Sequence, residues 1–180
     1  MVITYKQCIE KYGSDHMLKK EIAEGKIFQK EKGIYSLSNA CSELEIISVK
    51  YPKAVFAGES AFYYHALTDV IPDFYHLATV RTDGRIKDVR VKQTYLKADI
   101  FDMGKMKMMY HNTEICIYSL ERMLIELVRF RGRMPFDYYK EIILNYRNRA
   151  AMMDIAKVEE YADKFKNVSK LMEIISLEVL

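Results

Sequence analysis

Residue types that could do chemistry are present in this chain, but they are scattered. His65 and His76 lie eleven residues apart with no third ligand at a useful spacing, which makes a poor zinc set. Phosphoryl or nucleotidyl transfer needs paired carboxylates, usually Asp-x-Asp on a strand, to hold two metal ions near the phosphates. Gly58-Glu59-Ser60-Ala61 offers a weak version of the turn that opens such sites, but Asp69 and Asp73 stand four apart with Pro72 between them. Asp83 and Asp88 flank a basic turn, and Asp99 and Asp102 do not supply the carboxylate and lysine cluster of a nuclease. No P-loop, dinucleotide fingerprint or Gly-x-Ser-x-Gly elbow occurs. The expectation is therefore no enzyme: no catalytic residue, no metal site and no cofactor. His65 reads as a packed or hydrogen-bonded structural residue. Phe62-Tyr63-Tyr64 reads as core rather than a base-stacking platform. Glu121 and Arg122 read as an ion pair at a helix start.

What remains is basic charge in particular places. The chain has 180 residues and a net charge of +3, and half of it is hydrophobic. That is enough apolar content for a core at this size and excludes whole-chain disorder. The charge is uneven. Residues 81–110 carry +4 and residues 121–150 carry +3, while 41–80 carry −3. Two basic segments on a balanced chain point weakly to an extended polyanion. No apolar run approaches a membrane span and no basic-then-apolar leader opens the chain, so a cytoplasmic protein without membrane contact is expected. Cys8, Cys41 and Cys116 are odd in number and widely spaced, and they read as buried thiols in a reducing compartment.

The elements that would position these charges begin with a small N-terminal unit. Tyr5, Cys8, Ile9 and Tyr12 recur at helical spacing over Thr4–Tyr12. Gly13 stops that helix, and Ser14 caps a second one from Asp15 to about Glu24. Lys26–Lys30 and Gly33–Leu37 read as two short strands joined through Glu31-Lys32-Gly33. Helix, tight turn, helix, hairpin is the order of a winged helix-turn-helix, assigned here to residues 1–38. In such a unit the second helix enters the major groove and the hairpin reaches the neighbouring backbone. Leu18 and Ile22 mark the buried side of that helix, so His16, Lys20 and Ala23 face out with Lys19 on the flank. The wing adds Lys26, Lys30 and Lys32. Ser14, His16, Lys19, Lys20, Lys26, Lys30 and Lys32 are thus the candidate DNA contacts of this unit.

Residues 39–180 read as a second domain. A helix over Ser42–Lys50 precedes a short strand at Ala54–Phe56 and an aromatic-rich helix over Glu59–Leu67. Phe74–Val80 and Asp88–Thr94 alternate like strands of a hairpin with Asp83-Gly84 in its turn. Lys105–Tyr110 and Glu114–Tyr118 form another hairpin, and four helices follow from Leu120. The expected class is α+β: a winged helix-turn-helix, then a mixed domain with a central antiparallel sheet and C-terminal helices.

Several segments of this domain are similar to one known family. Tyr51-Pro52, Glu59-Ser60-Ala61, His65-Ala66-Leu67-Thr68-Asp69, Tyr75-His76-Leu77 with Arg81, and Ser119-Leu120-Glu121-Arg122-Met123-Leu124 appear in the order seen in AbiEi-type antitoxins of type IV toxin–antitoxin systems. Gly33-Ile34-Tyr35 matches the end of that family's wing. The resemblance reaches to about residue 150. The family's helix preceding Thr4–Tyr12 has no full counterpart here. Ala66 stands where the family usually has glycine, which argues against a glycine-type backbone at that position. The resemblance implies a DNA-binding antitoxin that represses its own promoter at repeated operator sites and counters a nucleotidyltransferase-type toxin without a stable complex. It also implies a role in abortive phage infection, and it is compatible with a monomer that binds DNA cooperatively. The alternatives are a winged-helix protein-interaction module, another transcriptional regulator without antitoxin activity, or an unrecognised phosphoryl-transfer enzyme. A second set of DNA contacts is expected from Arg81, Arg85, Arg90 and Lys92, with Lys87 beside them. Arg129, Arg131 and Arg133 form a further basic set.

Overall fold

A computed structural model describes residues 1–180. Its chain divides into two compact units, Met1–Lys53 with Met109–Glu114, and Ala54–Met108 with Ile115–Leu180. No helix is long and apolar enough to cross a membrane.

The first unit opens on β1 (Val2–Thr4), a strand that the sequence pattern did not announce. Thr4 ends it and caps α1 (Tyr5–Tyr12), sharing a reciprocal capping box with Gln7. Gly13 terminates α1 at φ 84°, with its N–H on the Ile9 carbonyl. Ser14 then accepts from the Met17 N–H and starts α2 (Asp15–Ala23). The reversal between the helices is thus made by one left-handed glycine and one cap. β2 (Phe28–Glu31) and β3 (Ile34–Ser36) follow and pair antiparallel, with an irregularity between Gln29 and Glu31. β1 returns to the other edge of β3, Val2 opposite Ser36, so the sheet order is β1–β3–β2. Ile3, Cys8, Leu18, Ile27 and Tyr35 make the core, with Ile9, Tyr12 and Ile22 packed on it. α3 (Glu43–Lys50) is capped by Ser42 and tied to β1 through Glu45, which accepts from the Val2 N–H at 2.7 Å.

A five-stranded sheet lies in the second unit, except for Met109–Tyr110 and Thr113–Glu114 at the tip of its last hairpin, which fall in the first. Its strands are β4 (Val55–Phe56), β5 (Tyr75–Val80), β6 (Val91–Leu96), β7 (Lys105–Tyr110) and β8 (Thr113–Tyr118), in the order β6–β5–β4–β8–β7. α4 (Gly58–Tyr64) follows β4, and the short α5 (Ala98–Phe101) follows β6. Then come α6 (Leu120–Phe130), α7 (Phe136–Arg147), α8 (Ile155–Ala162) and α9 (Val168–Glu178). The α+β class holds, but the sheet is mixed rather than antiparallel. β4 runs antiparallel to β5 and parallel to β8, and β5 runs parallel to β6 over Tyr75↔Val91 through Val80↔Leu96.

The expected β5–β6 hairpin is therefore a short crossover. Asp83 and Gly84 do turn the chain, through a 3-10 turn at Arg81–Asp83 and Gly84 at φ 77°, ψ −177°. The chain then returns to the start of β5, where the Tyr75 N–H donates to the Arg90 carbonyl. One side chain holds this loop. The Gln93 amide donates to Thr79 Oγ1 at 2.7 Å and to the Gly84 carbonyl at 2.9 Å, and its oxygen accepts from the Ile86 N–H at 2.8 Å.

Two further expectations are corrected. Arg122 pairs with Glu126 one turn along α6, at 2.6 Å, rather than with Glu121. Glu121 accepts instead from the Asp154 N–H. Helical geometry favours this choice, since residues four apart share a face and adjacent ones do not. Ala66, despite its Cβ, takes the left-handed backbone at φ 52°. Arg149 donates to the carbonyls of both His65 and Ala66, which holds the turn there.

Candidate nucleic-acid interface

The outer side of α2 is open. His16, Lys19, Lys20 and Ala23 are all exposed, while Leu18 on the inner side is buried. Ser14 is spent on the cap. The lysines are not isolated charges. Lys19 meets Asp15 at 2.8 Å and Lys20 meets Glu24 at 3.9 Å. Lys26 lies 2.6 Å from Glu24 and 3.5 Å from Glu21. The hydrogen bond and charge of Asp15 hold the Lys19 ammonium above its ordinary range, and Lys26 holds Glu24 below the usual carboxylate range. These are exposed surface pairs, which contribute little to stability and are screened by salt. Their larger consequence is electrostatic: α2 carries its carboxylates beside its lysines. On the wing, Lys30 donates to the Asn39 carbonyl at 2.6 Å. Lys32 sits exposed in the β2–β3 turn and makes no ion pair.

The second predicted set divides. Arg81, Arg85 and Lys87 are exposed on the crossover loop and make no ion pair. Arg90 differs: its guanidinium grips Asp88 with two bonds, Nε to Oδ1 at 2.9 Å and Nη2 to Oδ2 at 2.8 Å. A bidentate pair of this kind leaves little of that charge for a phosphate. Lys92 is on β6, at the wall of a cleft. In the late set, Arg129 pairs with Glu126 and Arg131 with Glu178, while Arg133 lies over the Phe130 ring.

The histidines of the second unit are structural neighbours of these elements. The His65 Nε2 contacts the Tyr118 carbonyl at 2.7 Å, and burial pushes its pKa down. His76 lies 3.5 Å from Glu59, and burial lowers its pKa too, with Lys92 adding to the fall and Glu59 opposing it. Ser60 is buried between a bond to the Phe74 carbonyl and one from the His76 N–H, which fixes the α4–β5 junction.

Sequence reasoning missed the cleft. It opens on one face of the sheet and measures about 330 Å³. β5 and β6 supply His76, Ala78, Lys92 and Thr94, which alternate onto that face, and α4 and α6 form its sides. The period-two alternation of β6 carried part of this signal. The parallel register that sets His76 beside Lys92 was not visible in it.

No model of a known protein family matches the chain, and no curated protein matches it.

Proposed function

We propose that this protein binds DNA sequence-specifically through its first unit, with α2 in the major groove and the β2–β3 turn on the backbone. The observation that carries this reading is the order β1–α1–α2–β2–β3 closed into a β1–β3–β2 sheet, with α2 leaving its outer side open. This order supports the reading, because a helix-turn-helix unit places its second helix in the major groove. The ordered motifs from Tyr51-Pro52 to Ser119–Leu124 support the narrower reading: an AbiEi-type antitoxin that represses its own promoter and counters a nucleotidyltransferase-type toxin. Cytoplasmic action follows from that role. Arg81, Arg85 and Lys87 are the proposed non-specific phosphate contacts.

A gel shift of the full chain against the region upstream of its own gene tests the reading. At low salt, the repeats there should shift well before random DNA does. Equal or absent binding to both removes the operator claim.

The carboxylates of α2 favour a second reading. Asp15, Glu21 and Glu24 would oppose a phosphate backbone but suit a protein surface of mixed charge. An interaction module predicts no DNA affinity and a co-purifying protein whose association survives salt.

A further inference from the structure

We propose that the cleft of the second unit is a binding site for a small aromatic carboxylate, a flat body of one or two rings bearing a single negative charge. This goes beyond the DNA-binding reading and does not depend on it.

The shape argument starts from the sheet. β6 is an edge strand, and its face bearing Lys92 and Thr94 stays exposed. The floor is built from small residues: Ala57, Gly58 and Ala78. Gly58 sits at φ 51°, and a Cβ there would meet His76 Nδ1 at 3.1 Å. Substitution would therefore both strain the backbone and push the imidazole. Above that floor stand Phe62, Leu96, Phe130 and Met134. A volume of about 330 Å³ lies at the small end of ligand sites, which run from roughly 300 to 1,000 Å³ and are mostly apolar with a few convergent polar groups. Such walls select a ring over a sugar or a peptide.

The charge argument selects the sign. Lys92 and Arg133 line the cleft and make no ion pair. Of the two carboxylates, Glu126 is compensated twice, by Arg122 at 2.6 Å and by Arg129 at 3.0 Å. Arg122 is fully buried, so that compensation is permanent. Glu59 stands beside His76. The balance of the lining is therefore positive. Arg133 has its guanidinium 5.1 Å from the Phe130 ring centroid, and a planar fork held on an aromatic face suits a carboxylate. Thr94 adds a hydroxyl on the same wall.

The test uses the full chain, its amide resonances assigned by NMR. Benzoate, indole-3-carboxylate and 2-naphthoate are titrated to about 5 mM, a range that detects affinities near 1 mM. At least one should give saturable shifts at Gly58, Ala78 and Thr94. Neutral indole should bind about tenfold more weakly than indole-3-carboxylate. Thr94→Phe should abolish the shifts by filling the cleft. Lys92→Gln with Arg133→Gln, both at exposed positions, should weaken binding at least about tenfold while leaving the other resonances in place. No saturable shift with any of the three acids overturns the proposal. So do shifts that persist in both variants, indole binding as tightly as its carboxylate, or adenosine monophosphate binding in the cleft where the acids do not.

Discussion

The two basic regions of this chain look alike in composition and differ in what their charges do. On α2 and at its end, Lys19, Lys20 and Lys26 each lie within 4 Å of a carboxylate on the same short segment. On the β5–β6 crossover, Arg81, Arg85 and Lys87 are exposed without a carboxylate partner, and Asp88 is taken up by Arg90. The lesson is that a segment's net charge does not measure the charge it offers a partner. Helical spacing puts residues four apart on one face, so α2 neutralises itself locally. A loop pinned from inside by Gln93 lets its arginines point away.

That difference predicts the largest effect on DNA. Replacing Arg81, Arg85 and Lys87 together by Gln should flatten the slope of log affinity against log salt by up to about 2.7, at roughly 0.9 per phosphate contact. Binding to operator and random DNA should weaken equally. Lys19→Ala with Lys20→Ala should change the salt slope less but cut the preference for the operator. An unchanged slope in the triple variant would remove the crossover from the interface.

The supports of the two regions differ as well. Gln93→Ala deletes three hydrogen bonds and strips the buried Thr79 hydroxyl, the Gly84 carbonyl and the Ile86 N–H of that partner. At about 1 kcal/mol net per bond, the expected loss is about 2–3 kcal/mol, read as a lower urea midpoint. The first unit's turn rests instead on Gly13, and Gly13→Ala should cost about 1 kcal/mol because φ 84° is hostile to a Cβ. Ala66→Gly should do the reverse, raising stability by about 1 kcal/mol, since Ala66 already bears that strain at φ 52°. If Ala66→Gly lowers the melting temperature, the extra freedom that glycine gives the unfolded chain outweighs the strain relieved at this exposed position.

Acid should separate the units too. His65 and His76 are half-buried in the second unit with lowered pKa values, whereas His16 is exposed on α2. Once unfolded, these two would bind protons below about pH 6.5, but in the folded state they resist them. The unfolded state thus holds more protons in that window, and stability falls as pH drops from about 6.5 toward the folded pKa values. Hydrogen exchange at about pH 7.5 and pH 5.5 should show protection lost at Tyr118 and its neighbours in β8 before it is lost at Leu18. His65→Gln should reduce that dependence.

The sequence announced local structure well where a single residue decides it. Gly13 reads as a helix stop and Ser14 as a cap, and each acts so, whereas Thr4 and Ser42, read as the first residues of their helices, are the caps just outside them. It failed where a partner distant in sequence decides. β1 has three residues and exists because Ser36, Tyr35 and Ile34 lie opposite it. Asp83-Gly84 gives the same local signal in a hairpin as in a parallel crossover. The burial of Arg122 follows from Tyr118, Glu126 and Phe165 around it, none of them predictable from its place beside Glu121. The cleft is a gap between elements and has no sequence signature of its own.

The smallest predicted effect tests the pairing on α2 most directly. Asp15→Asn keeps the size and much of the hydrogen-bonding capacity of the residue but removes the charge that holds Lys19 at 2.8 Å. Asp15 also sits in the first turn of α2, where a negative charge favours the helix dipole by roughly 0.3–1 kcal/mol. Stability should therefore fall slightly, through the lost dipole interaction and, less, through the lost surface pair. DNA affinity should move the other way. A freed Lys19 adds one cation to the helix face, and the loss of Asp15 removes one repulsion from phosphate. The expected gain at low salt is about threefold to tenfold, vanishing as salt rises, because both contributions are screened within a Debye length of about 10 Å at 0.1 M. A stability loss with no gain in affinity would mean that α2 does not face the phosphate backbone. The interaction-module reading would then be the stronger one, since Asp15 would be free to serve a protein partner.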